Sequence, residues 1–195
     1  MSKQILMIAG PNGAGKTTMT IELMQNCAIL YEFINADEIA RGLAPKHPES
    51  VALTASKLMI NRLKELLDAN ESFAFETTAS GTNYIKHLQS AKEKGYEINL
   101  TFLWLSRAEE AVKRVAQRVK QGGHNVPEES IIRRYYLGIK NLIFHYLPLA
   151  DEAFIMDNSS ETSERRLIAR KNRNNQIDIL DRDIWKKIQE ISCER

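Results

Sequence analysis

The sequence predicts a three-layer α/β domain, a parallel five-stranded sheet with helices on both faces. Three observations lead there. Short apolar runs alternate with segments of helical period along the 195 residues. Several of those runs are too continuously apolar to have a wet face, as in parallel strands covered on both sides. The first run leads into "AGPNGAGKTT" (9–18), a glycine-rich stretch whose bare backbone is unfavourable in entropy and must serve a purpose.

In chain order, "QILMIA" (4–9) reads as a buried strand and residues 17–25 as a helix. "YEFINA" (31–36) is the second strand. After Pro48, the residues Val51, Ala55, Leu58, Met59, Leu63, Leu66 and Leu67 recur at helical spacing, which predicts one amphipathic helix from about 48 to 69. "SFAFE" (72–76) is the third strand, and a helix over 82–94 ends at Gly95. "YEINLTFLWL" (96–105) is the longest and most apolar strand, with Phe102 and Trp104 in the core. Ser106 caps the following helix, with Glu109 and Glu110 in its first turn, and the helix stops at Gly122-Gly123. Pro127 opens the next helix, which Tyr135, Tyr136, Phe144 and Tyr146 pack. "EAFIMD" (152–157) is the fifth strand. Residues 158–175 read as a loop or weak helix, and 182–193 as a closing helix. No repeat or linker interrupts a single domain over 1–195.

Composition narrows the class. With 43% hydrophobic and 27% charged residues and a net charge of +2, the chain reads as an ordinary soluble globular protein. That balance offers no general argument for nucleic acid or an anionic membrane. The basic run Arg165, Arg166, Arg170, Lys171 and Arg173 has no interleaved aromatic residue, so it reads as a solvated face rather than a polynucleotide groove. At this length folding buries roughly 70% of the extended surface, enough without disulfides or structural metal. Cys27 and Cys193 form no CxxC pair and read as reduced thiols of a cytoplasmic protein. No run approaches the roughly 18 apolar residues of a membrane helix, and the apolar start is too short for a signal-peptide core.

The run Gly10, Pro11, Asn12, Gly13, Ala14, Gly15, Lys16, Thr17 and Thr18 fits the Walker A phosphate-binding loop, with a strand before it and a helix after it. Its glycines let main-chain N–H groups turn inward, and the helix adds its positive end. Lys16 would reach the β and γ phosphates and the Thr17 hydroxyl would ligate magnesium, so ATP and Mg2+ are the expected ligands. The Asn-Lys-x-Asp element of GTPases is absent, which favours adenine. Asp157, Asn158 and Ser159 lie where the base would sit, as contacts or as a plain turn.

Three further features lie around that loop. Asp37 follows the second strand and so falls at the carboxyl edge of the sheet, where α/β proteins keep their ligands. A carboxylate there would orient the attacking hydroxyl of an acceptor, or it caps a short helix. Glu76 ends the third strand at the same edge and would hold magnesium through water, or is a solvated strand end. Arg114 and Arg118 lie one helical turn apart, and Arg133 and Arg134 follow the glycine loop 121–125. Together they predict a helical lid over about 114–136 that closes guanidinium groups onto the γ-phosphate, with His124 in its loop.

Beyond the loop, "INADEIARGLAP" (34–45), "FAFETTASG" (73–81) and "RVAQRVKQGGHNVPEESIIRRYYLGIKNL" (114–142) carry a resemblance to the zeta-toxin-like P-loop kinases, over roughly residues 3–160. The resemblance implies a five-stranded P-loop kinase domain that moves the ATP γ-phosphate to a small-molecule hydroxyl. UDP-N-acetylglucosamine is the best-known acceptor of that family, and an antitoxin protein is a possible partner. It implies Asp37 as the catalytic aspartate, Glu76 and Thr77 as acceptor-binding residues, and Arg118 and Arg133 as the lid arginines acting with Lys16. Two other readings stay open: a polynucleotide kinase, and a regulatory ATPase or nucleotide switch that binds a protein partner.

Overall fold

The computed structural model describes residues 3–26, 32–123, 125–159 and 165–194. The sheet runs β2 (Glu32–Ile34), β3 (Phe73–Thr77), β1 (Lys3–Ala9), β4 (Tyr96–Trp104), β5 (Glu152–Asp157), β6 (Arg166–Lys171), β7 (Ile177–Ile179). The first five in that order are parallel, so their carboxyl ends share one edge. β1 is central because Ile5, Met7, Ile8 and Ala9 offer no polar face and need neighbours on both sides. The crossover from β1 to β2 runs across the sheet opposite to those from β3 to β4 and from β4 to β5. With right-handed crossovers this puts helices on both faces.

Seven strands replace the expected five. Residues 166–171, expected as loop or weak helix, form β6 antiparallel to β5, and β7 continues the edge. Charge hid this strand from a hydropathy reading. Arg166 pairs with Asp157 and Asp181, and Arg170 with Glu152, all on the wet side, while Ile168 and Ala169 are fully buried. A register shift between Ile155 and Met156 breaks strict alternation, which explains two adjacent buried residues.

The helices are α1 (Lys16–Asn26), α2 (Ala36–Leu43), α3 (Ala52–Ala69), α4 (Ile85–Glu93), α5 (Ala108–Lys120), α6 (Glu128–Asn141), the single turn α7 (Leu147–Leu149) and α8 (Arg182–Cys193). The single helix expected from 48 is divided: Pro48–Val51 is a separate 3-10 turn, and Val51 departs from helical geometry with φ −115° and ψ 11°. Leu58, expected on the apolar stripe, is exposed. Ser106 does not cap α5, whose extended Arg107 makes no side-chain cap; the Ser106 hydroxyl donates to Glu110 Oε2 instead, at 3.0 Å. Tyr135 and Tyr146 are buried as expected, whereas Tyr136 and Phe144 are exposed. Phe102 and Trp104 lie in the core. Among the described residues no helix is long and apolar enough to cross a membrane. Cys193 is a free, exposed thiol, and Cys27 lies outside the described residues.

Lys171, at the end of β6, is only 4% exposed. Its ammonium donates to the carbonyls of Leu147 (2.9 Å), Pro148 (3.3 Å) and Ala150 (2.6 Å). These are orphan acceptors at the end of a π turn (Leu142–Tyr146) and α7, and one cation satisfies three of them. Lys171→Met keeps the aliphatic stem but leaves those carbonyls unpaired, so it should lower stability by about 1–3 kcal/mol. Chemical denaturation would measure this, with the exposed Arg170→Met as the comparison that stays near wild type.

Candidate active site at the carboxyl edge of the sheet

The loop after β1 is shaped by two close approaches. At Gly10, with φ +141°, a Cβ would collide with the Leu103 carbonyl of β4. At Gly13, with φ +75°, a Cβ would stand 3.0 Å from Arg114 Cβ and 3.2 Å from the Ala111 carbonyl, so α5 rests directly on the loop. Ala14 N donates to Pro11 O at 3.2 Å, closing a turn with Asn12 and Gly13 at its tip. The Lys16 ammonium bends back to the carbonyls of Gly10 and Pro11, 2.9 Å from each. Burial pushes its pKa below the ordinary lysine value, Glu76 and Asp37 oppose this, and Arg118 and Arg134 add to the fall. The end of β5 is strapped to the same loop. Asn158 Nδ2 donates to Ala14 O at 2.8 Å, and the Arg114 guanidinium to Ser159 O at 3.2 Å. Asp157 Oδ1 accepts from Ser159 N and Oγ at 2.9 and 2.6 Å, making this segment a built turn.

Glu76 sits at the crossing point of three elements. Ile8 of β1 pairs with Glu76, and Ile34 of β2 with Phe75, so Glu76 lies level with Asn35. Only 7% exposed, its carboxylate accepts from Thr17 Oγ1 (3.1 Å), Thr20 Oγ1 (2.8 Å) and Asn35 Nδ2 (2.9 Å). Burial raises its pKa above the ordinary glutamate value, against the hydrogen bond from Thr20, the Lys16 charge and the bond from Thr17. Thr17 is the loop hydroxyl expected on magnesium, and a hydroxyl beside a carboxylate is an oxygen donor set that suits this cation. Among the described residues no three His, Cys, Asp or Glu side chains gather as a metal cluster. A magnesium ion held chiefly by phosphates, water, one hydroxyl and one carboxylate needs no such cluster.

Asn35, which the sequence reading passed over, caps α2: its Oδ1 accepts from Asp37 N (2.8 Å) and Glu38 N (3.4 Å) while its Nδ2 serves Glu76. The signal was present, since Asn before an acidic first turn is a favoured N-cap. Asp37 therefore is not the cap. It is exposed, and its carboxylate makes no hydrogen bond or ion pair among the described residues.

All of this lines one cleft of about 470 Å³. The loop contributes Asn12, Gly13, Gly15, Lys16, Thr17 and Thr18, whereas Gly10, Pro11 and Ala14 are buried beneath it. Asp37, Glu76 and Thr77 line it from the strand ends. Opposite the loop stands the turn after β3. Ala79 there is fully buried with φ +56°, its N–H held by Thr77 Oγ1 at 3.1 Å. α6 clamps this turn: Asn141 Nδ2 donates to Ala79 O at 2.8 Å, and a Cβ on Gly138 would lie 2.6 Å from Thr78 O. The Tyr146 hydroxyl donates to Gly81 O. From the lid, Arg114, Arg118 and Arg134 line the cleft; Arg133, expected there, is exposed on α6 and does not. His124 lies outside the described residues.

Comparison with known proteins agrees with this geometry. The sequence profile of the AAA domain family matches residues 5–134, from β1 into α6. The chain belongs to the AAA domain family. Its domain is P-loop kinase-like. An uncharacterised protein of Haemophilus influenzae is 29% identical over 135 residues, covering 69% of this chain and 94% of that protein. Among solved structures, the AvrRxo1-ORF1:AvrRxo1-ORF2 complex with sulphate ions superposes with TM-score 0.74 at 16% identity, over 96% of this chain. This chain spans 63% of that one. The same complex with ATP gives 0.73. The PezAT toxin–antitoxin system of Streptococcus pneumoniae gives 0.68 at 15% identity, over 98% of this chain and 84% of that one. At these identities the likeness to PezAT, and with it to zeta-toxin-like kinases, is one of fold.

The Glu76 network yields a pH-dependent expectation. Because the folded pKa is raised, the fold favours the protonated acid, and stability is lost as pH rises through that raised value. Glu76→Gln removes the titration while keeping hydrogen-bonding atoms. Its Tm should match wild type near about pH 4 and equal or exceed it at about pH 8. A Tm deficit that grows with pH would show the ionised carboxylate to be stabilising instead.

Proposed function

We propose that the chain works as a single ATP-dependent kinase domain, moving the γ-phosphoryl group of ATP onto a hydroxyl of a small molecule. The reading rests on Asp37, a carboxylate that neither caps its helix nor pairs with a cation, on the wall of the cleft that holds Lys16 and Thr17. Lys16 exchanges the carbonyls of Gly10 and Pro11 for the β and γ phosphates. The Thr17 hydroxyl and the Glu76 carboxylate would hold magnesium, which would neutralise phosphate charge. Thr77 lies on the acceptor side, and the ties of Glu76 to Thr17 favour its metal role over a direct acceptor contact. Asp37 orients the acceptor hydroxyl and takes its proton as the oxygen bonds to phosphorus and the bond to the ADP oxygen breaks. Arg118 and Arg134 meet the charge that spreads over the phosphoryl oxygens, and the lid over 114–136 excludes water.

The resemblance in sequence supports a nucleotide sugar such as UDP-N-acetylglucosamine as the acceptor. The fold shared with PezAT supports an antitoxin partner, and the free Cys193 thiol supports a place in the cytoplasm. The basic run does not favour a polynucleotide acceptor, because Arg165, Arg166, Arg170 and Arg173 are engaged with Glu22, Asp157, Glu152 and Glu97.

Incubation with labelled ATP, UDP-N-acetylglucosamine and a bacterial metabolite extract, read by mass spectrometry, should reveal one phosphorylated product. Lys16→Ala should abolish its formation. Asp37→Asn should slow transfer by about 10²–10⁴-fold. ATP affinity in that variant should stay within about threefold of wild type, since Lys16 and Thr17 are untouched. Slow ATP hydrolysis with no labelled metabolite, unchanged in Asp37→Asn, would identify a regulatory ATPase instead.

A further inference from the structure

Two residues that line the cleft, Asn12 and Arg134, carry polar groups that make no hydrogen bond among the described residues. The first is Asn12 at the tip of the phosphate loop. The residue is only 5% exposed, and its Oδ1 is buried without a hydrogen-bond donor among the described residues. Burying an amide oxygen unpaired is unfavourable by about 1–3 kcal/mol, so such an atom in a ligand-binding loop points to a donor that arrives with the reaction. Phosphate oxygens cannot supply it, since they are acceptors. The second is Arg134. Half-buried and lining the same cleft from α6, it makes no side-chain hydrogen bond or ion pair among the described residues, although its charge is felt at Lys16. A guanidinium carries five donors, more than a phosphoryl oxygen can use.

The backbone holds both groups in place. Asn12 is fixed by the Pro11–Ala14 turn and by α5 lying against Gly13. Arg134 is one helical turn before Gly138, whose contact with Thr78 O sets the register of α6 on the sheet. We propose that Asn12 is a positioning residue for Arg134. Its Oδ1 accepts one guanidinium N–H when the nucleotide is bound, which turns the remaining donors of Arg134 toward the γ-phosphoryl oxygens. This rests on the kinase reading for its purpose but on the leftover donor and acceptor for its chemistry. Asn12 thus orients the arginine and makes no contact with the acceptor.

The test needs no acceptor. Calorimetry with Mg·ADP and with the non-hydrolysable Mg·AMP-PNP gives the affinity added by the γ-phosphoryl group as a ratio of dissociation constants. Arg134→Ala should shrink that ratio by about tenfold or more, the usual effect of losing one charge-assisted contact. Asn12→Ala should shrink it by about threefold to tenfold with ADP affinity unchanged, and its Tm should not fall, because an unpaired buried atom has been removed. The double variant should be no worse than Arg134→Ala alone, the mark of two residues acting through one interaction. Losses that multiply, an Asn12→Ala ratio equal to wild type, or a wild-type ratio of one would each overturn the proposal. An Asn12→Ala variant with a clearly lowered Tm would make the side chain structural and overturn it too. Failure of the kinase reading would appear separately, as absence of product in the labelled-ATP assay with the γ-phosphoryl ratios intact.

Discussion

The buried carboxylate of Glu76 is the interaction on which the rest of the site depends. It joins the first turn of α1, the Thr20 hydroxyl one turn further, and the corner between β2 and α2. The donors come from α1, which follows β1, and from the residue after β2, so the ends of the three adjacent strands β1, β3 and β2 cannot shift independently. Burial opposes the charge, and only three donors with the nearby Lys16 ammonium make it tolerable. A buried charge held this way is weak evidence for stability and better evidence for a site that needs a charge there.

The cation side mirrors this. Lys16 is destabilised by burial and by Arg118 and Arg134, and supported by Glu76 and Asp37. The cleft thus brings four cations and two carboxylates together without pairing Asp37 or Arg134 off. Surface ion pairs elsewhere, such as Arg62 with Glu32 and Glu65, are closed and solvated and contribute little. What distinguishes the cleft is its surplus of charges left available.

Much of this was legible in the residues, and the gaps have physical reasons. The phosphate loop could be read because its demands are local: backbone turns that require glycine and a helix that starts at Lys16. β1, β3 and β4 could be read because both of their faces are buried. β6 could not, because its exposed arginines and buried Lys171 look alike in a hydropathy reading. Lys171 is buried only because three carbonyls from another part of the chain await it. The choice between Arg133 and Arg134 was equally out of reach. Neighbours on a helix point about 100° apart, and the phase of α6 is set by the contact of Gly138 with Thr78, a tertiary fact. Asp37 was placed at the right edge, but its freedom from capping depended on Asn35, two residues away.

The clamp of α6 on the turn after β3 has a consequence for how such a protein can change over generations. Gly138 and Asn141 grip Thr78 and Ala79, while Arg134 rides one turn earlier on the same rigid helix. Under the proposed kinase reading, a mutation that reshapes the turn for a different acceptor would also shift the helix, and with it the arginine. Novel preference and retained chemistry are therefore inherited as a bundle. Lineages exploring new guests would be channelled toward cleft residues on α3, such as Ser56 and Ala52, which take no part in that clamp.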